Sequence, residues 1–491
     1  MTARWPPAAW AAGGILFLLL ATANGAGYRY GVSDQAFYLP VVEHAINPEL
    51  FPRDGSLIDA QGRLMITDEI IATVARLTSI PLETLFLAGY LLSVALIWIG
   101  LIAIGHRVYA TPWVTLALVA AFTLRHRIPR TSANSFEPYF HPRMLAFGLG
   151  LLAVAALLHR RAWLAVPLVA ATALTHVTTG LWFSILIGVA LVMLQPSLRR
   201  LAVGAAVAAV AIGAWALTAG PLRTSMTRMD AMWLQAVASK DSLFATQWPV
   251  WAWIANLGLL AVLWWAHRRR QRLGNAHPED EALIWGSTAL VAVFLLTLPF
   301  VIGRLAFPVQ LQISRVFWLV DTMATVYLLS LIVDRRLAKA VAILLVLVSV
   351  SRGAYVMLVE RPDRALFSPH LVESPWQDAM RWVSRQPVTA HVLADPGHAW
   401  KYGTSVRVSA TRDVFLEDVK DSAIAIYSRD VAQRVVERAS ALGDFTTLTP
   451  ERALSLARTY DLNYLVTEAR LDLPVRYQNT QFRVYALTPT P

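Results

Sequence analysis

Long apolar runs dominate the chain up to about residue 358 and then stop. They lie near 8–26, 82–104, 111–124, 143–158, 162–177, 179–195, 201–219, 248–266, 281–302, 313–333 and 338–358. A spanning helix needs about 20 mostly apolar residues, so each run predicts one transmembrane helix, about eleven in all. Several runs in the first half are shorter than that. They would have to tilt, extend into their flanks or form re-entrant pairs. The first run is followed by many others, so it reads as a first span rather than a cleaved signal peptide.

Beyond the last run the pattern is that of a soluble α/β domain. Ser374-Pro375-Trp376 has serine and proline where a helix starts. Strands are expected at His391-Val392-Leu393, at Arg412–Leu416 and at Asn463–Thr467, with helical periodicity over 421–440 and a helix start at Thr449-Pro450-Glu451. Gln478-Asn479-Thr480 would turn a final hairpin into Phe482–Leu487. The expected organisation is a polytopic helical membrane domain over 1–358, with a long first outer loop at 27–81, and an extracytoplasmic α/β domain over 359–491.

Charge in the short loops sets the orientation. His106-Arg107, His159-Arg160-Arg161, Arg199-Arg200, Arg268–Arg272 and Arg335-Arg336 with Lys339 fall on alternate connections, which the positive-inside rule places in the cytoplasm. The N-terminus with Arg4 is then inside. The connections 27–81, 125–142, 220–247 and 303–312 are outside, as is the tail. One loop resists: Arg125-His126-Arg127 and Arg130 would lie outside. Either the third span is miscounted or that loop meets an anion.

Composition agrees with this division. Of 491 residues, 56% are hydrophobic and 15% charged, against about 25% charged in soluble domains. The net charge is +11. Only Lys240, Lys339, Lys401 and Lys420 are lysine, and the other 39 of 43 basic residues are arginine. An arginine-rich, GC-biased genome accounts for most of this excess; scattered through inter-helix loops, it also serves orientation and contact with anionic lipids rather than nucleic acid. There is no cysteine, which excludes disulfides, thiolate metal sites and a cysteine nucleophile. No nucleotide fingerprint is present. Gly397 and Gly403 fit none, and no cofactor is indicated.

Candidate chemistry sits in the outer loops. Asp34 lies in Tyr28-Arg29-Tyr30-Gly31-Val32-Ser33-Asp34-Gln35, a few residues past the first span. A carboxylate there can act as a general base on a hydroxyl, or simply cap the next helix. Asp54, Asp59, Asp68 and Glu69 share this loop and read as solvated or capping residues. The second loop holds Glu137, His141 and Arg143. Arginine matches phosphate through paired donors, and histidine can donate to a phosphate oxygen or hold a metal. The alternatives are a snorkelling arginine and an ordinary loop. His176 stands at the outer end of an apolar pair, where an ionisable group is a functional candidate or a histidine bonded to a neighbouring helix. Arg315 starts the tenth run from outside and can meet a lipid phosphate or anchor the helix. No set of residues is assigned to a metal.

The layout resembles the GT-C superfamily of membrane glycosyltransferases. The shared features are many spans, a long first outer loop with an acid just past the first helix, a short basic second loop and an outer soluble C-terminal domain. In that superfamily the acidic motif is often Asp-Asp or Asp-Glu. Here it is the single Asp34 followed by Gln35, which leaves the base and any metal dependence open. The resemblance implies transfer of a sugar from a polyprenyl-phosphate donor to a glycan, lipid or protein acceptor, with inversion, on the outer face of a bacterial cytoplasmic membrane. It casts Asp34 as base, Arg143, Arg315 and His141 as stabilisers of the leaving phosphate, and His176 as a lining residue.

Two rival readings predict other arrangements. A transporter or flippase for a lipid-linked sugar predicts mid-membrane polar residues and broken-helix repeats. A non-enzymatic cell-envelope assembly protein predicts that Asp34, Arg143 and Arg315 do not converge.

Overall fold

A computed structural model describes residues 6–62, 66–124, 127–220 and 223–487. The protein is a multi-pass helical bundle followed by a C-terminal α/β domain. Among the described residues, seven helices are long and apolar enough to cross a membrane: Pro7–Asn24, Leu82–Val108, Val177–Leu194, Pro196–Thr218, Val250–Arg272, Pro278–Ile302 and Arg335–Glu360. Pro112–Thr123, Pro142–Leu158, Ala162–Thr175 and Val316–Leu329 are shorter apolar helices. Each of the eleven apolar runs is therefore helical. Two of the short ones pack along longer neighbours, Pro142–Leu158 along Leu82–Val108 and Pro112–Thr123 along Arg335–Tyr355, whereas Ala162–Thr175 is mostly half-buried or exposed.

Ala162–Thr175 and Val177–Leu194 form a tight hairpin with His176 alone at the corner. Gly180 permits this. A Cβ there would stand 2.2 Å from Ala173 Cα, so only glycine lets the two helices close directly behind the corner.

The connections separate to the two ends of the bundle. At one end Arg107 Nε donates to Leu158 O (3.0 Å), Arg160 pairs with Glu279 (2.5 Å), and Arg270 binds Val108 O (3.2 Å) and Asp280 (2.9 Å). This basic end holds three of the connections expected to be cytoplasmic. At the other end Arg29 N–H donates to Pro138 O (2.8 Å), Thr67 Oγ1 to Thr175 O (2.9 Å) and Ser314 Oγ to Ser242 O (3.1 Å). The second loop lies at this end. Arg125 and His126 of that loop fall outside the described residues.

The first loop is folded. It carries β1 (Tyr28–Arg29) and the helices Gln35–Ile46, Gly55–Gly62 and Thr67–Thr78. β1 pairs in parallel with β2 (Phe367–Ser368), joining the chain just after its first span to the chain just after its last. Gly27, at φ +81°, sits where a Cβ would be 2.5 Å from Ala365 O, so the pairing requires glycine there.

The C-terminal domain is built on a five-stranded sheet. β3 (His391–Ala394) lies between β4 (Asp413–Val414) and β5 (Tyr464–Thr467), parallel to both. β7 (Arg483–Ala486) is antiparallel to β5 and to β6 (Val475–Gln478). The local signals act as expected. Ser374 Oγ accepts from Gln377 N–H (3.1 Å), Thr449 Oγ1 from Arg452 N–H (3.3 Å), and Asn479 Oδ1 turns the last hairpin by accepting from Gln481 and Phe482 N–H (3.0 and 2.8 Å). Each helix cap is worth about 1 kcal/mol. Two expectations change. The strand at 412–416 shrinks to two residues, and 421–440 is two helices, Asp418–Ala425 and Arg429–Leu442, because Ser428 caps the second.

Candidate functional site

At the end opposite the basic connections, a cavity of about 1010 Å³ opens between the bundle, the first two loops and the C-terminal domain. Asp34, Glu137, His141, Arg143, His176 and Arg315 all line it. They come from four separate connections, so only the tertiary fold brings them together.

Asp34 is aimed by its backbone. Ser33 adopts a left-handed φ of +54°, which turns the chain just before the helix Gln35–Ile46. Asp34 occupies the N-cap position of that helix, but its side chain makes no capping hydrogen bond. It faces the cavity instead and keeps 29% of its side-chain exposure. One oxygen, Oδ1, accepts from Lys420 Nζ at 2.8 Å; the other, Oδ2, accepts from Tyr139 Oη at 3.3 Å and lies 3.5 Å from His141 Nε2. Burial alone would push this carboxyl up. The Lys420 ammonium and the His141 hydrogen bond outweigh it and hold Asp34 well below the usual carboxylate range.

His141 has a defined tautomer. Its Nδ1 caps the helix Pro142–Leu158 by accepting from Arg143 N–H (3.1 Å). The proton of the neutral ring is thereby assigned to Nε2, facing Asp34 and Tyr38 Oη (3.4 Å). Burial, reinforced by Arg143, lowers the His141 pKa and keeps the ring neutral. Burial also raises the Tyr38 and Tyr139 phenols, so both remain donors. His176 bonds within its own helix rather than to a neighbouring one: its Nδ1 accepts from Thr179 Oγ1 (2.9 Å) and Thr179 N–H (3.3 Å). Its ring stands 6.2 Å from that of His141.

The two arginines differ. Arg143 is paired with Glu137 at 2.9 Å, and Asn134 Nδ2 donates to the same Glu137 oxygen (3.1 Å). Glu137 thus neutralises and orients Arg143. Arg315 meets no carboxylate among the described residues, and its Nε is buried without a hydrogen-bond partner. A cation left in that state, facing a cavity, suits an anionic ligand. The rim carries the Arg130–Asp241 ion pair and Arg127.

Sequence reasoning missed Lys420, Lys240 and Tyr427, which also line the cavity. One signal was available. In a chain whose basic residues are almost all arginine, two of the four lysines stand here.

Lys420 is held by a sealed charge cluster. Arg407 donates Nε to Asp54 Oδ2 (2.6 Å) and pairs both terminal nitrogens with Asp421 (2.6 and 3.2 Å), beside Lys420 on the helix Asp418–Ala425. Arg434 also pairs with Asp54. Asp54 is therefore no solvated acid; it is wholly buried and clamps the first loop to the C-terminal domain. Asp68 is likewise buried, with its carboxyl pushed up to about 8 by burial and by Glu69. Asp59 is exposed, as expected. Among the described residues, no three His, Asp or Glu side chains gather as metal ligands.

No family model matches the chain, and no curated protein does. Its fold is similar to a crystal structure of an Archaeoglobus fulgidus oligosaccharyltransferase in the apo form, at 13% identity. That similarity covers 94% of this chain and 69% of that one, with a TM-score of 0.47.

Proposed function

We propose that this protein is a membrane glycosyltransferase that moves a sugar from a polyprenyl-phosphate donor to a hydroxyl-bearing acceptor, with inversion, on the extracytoplasmic face. The observation that carries the reading is the convergence of Asp34, Arg143 and Arg315 on one cavity at the end opposite the basic loops. The assembly-protein alternative expects these groups to be scattered.

The acceptor oxygen bonds to the anomeric carbon as the bond from that carbon to the donor phosphate oxygen breaks. The acceptor proton passes to Asp34, whose Oδ2 faces the cavity side of the Lys420 pair. A carboxylate this acidic is a weak base. It suffices because the hydroxyl becomes strongly acidic only once its oxygen has begun to bond to carbon. The leaving polyprenyl phosphate gains negative charge, and Arg315, with no anion of its own, is placed to stabilise it. Arg143 adds a second, already oriented cation, and neutral His141 donates toward Asp34 rather than competing as a base.

The test is transfer of labelled sugar from synthetic polyprenyl-phosphate donors by purified protein, with Asp34→Asn as control. Wild-type transfer that Asp34→Asn abolishes supports the reading; equal activity in both removes Asp34 from the mechanism. Sidedness is tested by labelling Thr459→Cys, an exposed site of the C-terminal domain, with an impermeant reagent in intact cells. Protection there would overturn the outer placement.

A further inference from the structure

The charges lining the cavity do not balance. Six cations, Arg127, Arg130, Arg143, Lys240, Arg315 and Lys420, face three carboxylates, Asp34, Glu137 and Asp241. Arg143 and Arg130 are satisfied by Glu137 and Asp241. Arg127 stands at the rim, and the remaining three divide around Asp34 into two poles. Arg315 stands on the side of Arg143 and His176, close enough that both arginines bear on the His176 ring. Lys240 and Lys420 stand on the side of the C-terminal domain, within electrostatic reach of each other and of Asp34.

A sugar phosphodiester brings one negative charge, and the Arg315 pole meets it. Lys240, which pairs with no carboxylate among the described residues, is then left over beside the Lys420–Asp34 pair. Lys240 Nζ donates to Val419 O (2.9 Å), which occupies one of its three N–H donors. Lys420 Nζ binds Asp34 (2.8 Å) and Ser33 Oγ (3.3 Å), which leaves a third donor. Burial and the neighbouring Lys420 lower the Lys240 pKa, and Asp34 and Asp418 offset this only in part. A small recess reaches Ser33 and Lys420 from the far side, beneath Trp400, which is 77% exposed.

A general base touches the group it deprotonates, so Lys420 on the other oxygen of Asp34, with Lys240 beside it, lies next to the acceptor rather than against the Arg315 pole. We infer that Lys240 and Lys420 form an acceptor anion site, and that the acceptor is a hydroxyl compound carrying a phosphate or carboxylate close to the reacting hydroxyl. This rests on the glycosyl-transfer reading for the word acceptor. The anion site itself rests on the lysines. The same chemistry could come from the donor, as a second phosphate of a polyprenyl diphosphate.

The experiment is calorimetric titration of the purified full-length protein with glucose 6-phosphate and with glucose, in wild type, Lys240→Met, Lys240→Arg and Arg315→Met. A single well-placed charge contact corresponds to about tenfold in affinity. Wild type should prefer the phosphate ester by at least that factor. Lys240→Met should erase the preference, while Lys240→Arg and Arg315→Met keep it. No preference in wild type, or its loss in Arg315→Met alone, overturns the inference. A second arm compares polyprenyl phosphate with polyprenyl diphosphate. If Lys240→Met selectively weakens the diphosphate, the second anion belongs to the donor and the acceptor assignment falls. If the glucose 6-phosphate preference follows Lys240 but no polyprenyl donor gives sugar transfer, the anion site stands and the glycosyl-transfer reading fails.

Discussion

Asp34 and Asp54 lie in the same loop, and each meets a cation from the C-terminal domain. Their surroundings make them different devices. Asp54 is fully buried, and Arg407, Arg434 and Val414 N–H occupy its oxygens. Asp34 has one oxygen on Lys420 and the other on a cavity wall, at longer distances and with 29% of its side chain exposed. Both carboxyls are held below the usual range. The comparison teaches that a depressed pKa does not separate structural from chemical acids; access to open volume does.

The sharpest way to break the comparison is to neutralise Asp34. Asp34→Asn should lower transfer by roughly a thousandfold, in the range of a lost general base, with the melting temperature unchanged. A large drop in melting temperature would make Asp34 a second clamp. Next comes the clamp itself. Arg407→Met leaves Asp54 and Asp421 without their shared cation, and breaking a buried pair costs about 3–5 kcal/mol. Denaturation and limited proteolysis should show a loosened C-terminal domain, and activity should fall with it.

Lys420→Met sharpens the contrast through pH. In the proposed mechanism Asp34 is the base and acts while ionised, so wild-type activity should be lost only as pH falls through its depressed pKa, below the ordinary carboxylate range. Without Lys420, burial pushes that pKa up and the acid limb should move to higher pH. An unmoved limb would show that Lys420 does not govern Asp34. The smallest effect is expected at exposed Asp59, where Asp59→Asn should stay within about 0.5 kcal/mol of wild type in stability and leave activity unchanged.

The membrane architecture was legible because a bilayer imposes long apolar runs that little else produces. The caps at Ser374 and Thr449 were legible because they act over three residues. The reading failed where partners are distant in sequence. Asp54 looked solvated because Arg407 and Arg434 lie in another domain. Lys420 sat unnoticed on a soluble helix because nothing local connects it to Asp34. The candidate residues of the loops were recognised as chemical types, but the pairing of Glu137 with Arg143 and the isolation of Arg315 required the fold. Ser428 resembles any serine in a periodic stretch, so the break between the two helices was invisible.

The pairing of β1 with β2 also sets an order of assembly. Tyr28 is made early and Phe367 only after the last span, so this strand pair cannot close until the whole membrane domain has been synthesised. Until then the first loop waits on its own side of the bilayer with Asp54 lacking both arginines. The cavity is therefore completed last, and a chain interrupted before Arg407 carries Asp34 without the lysine that tunes it.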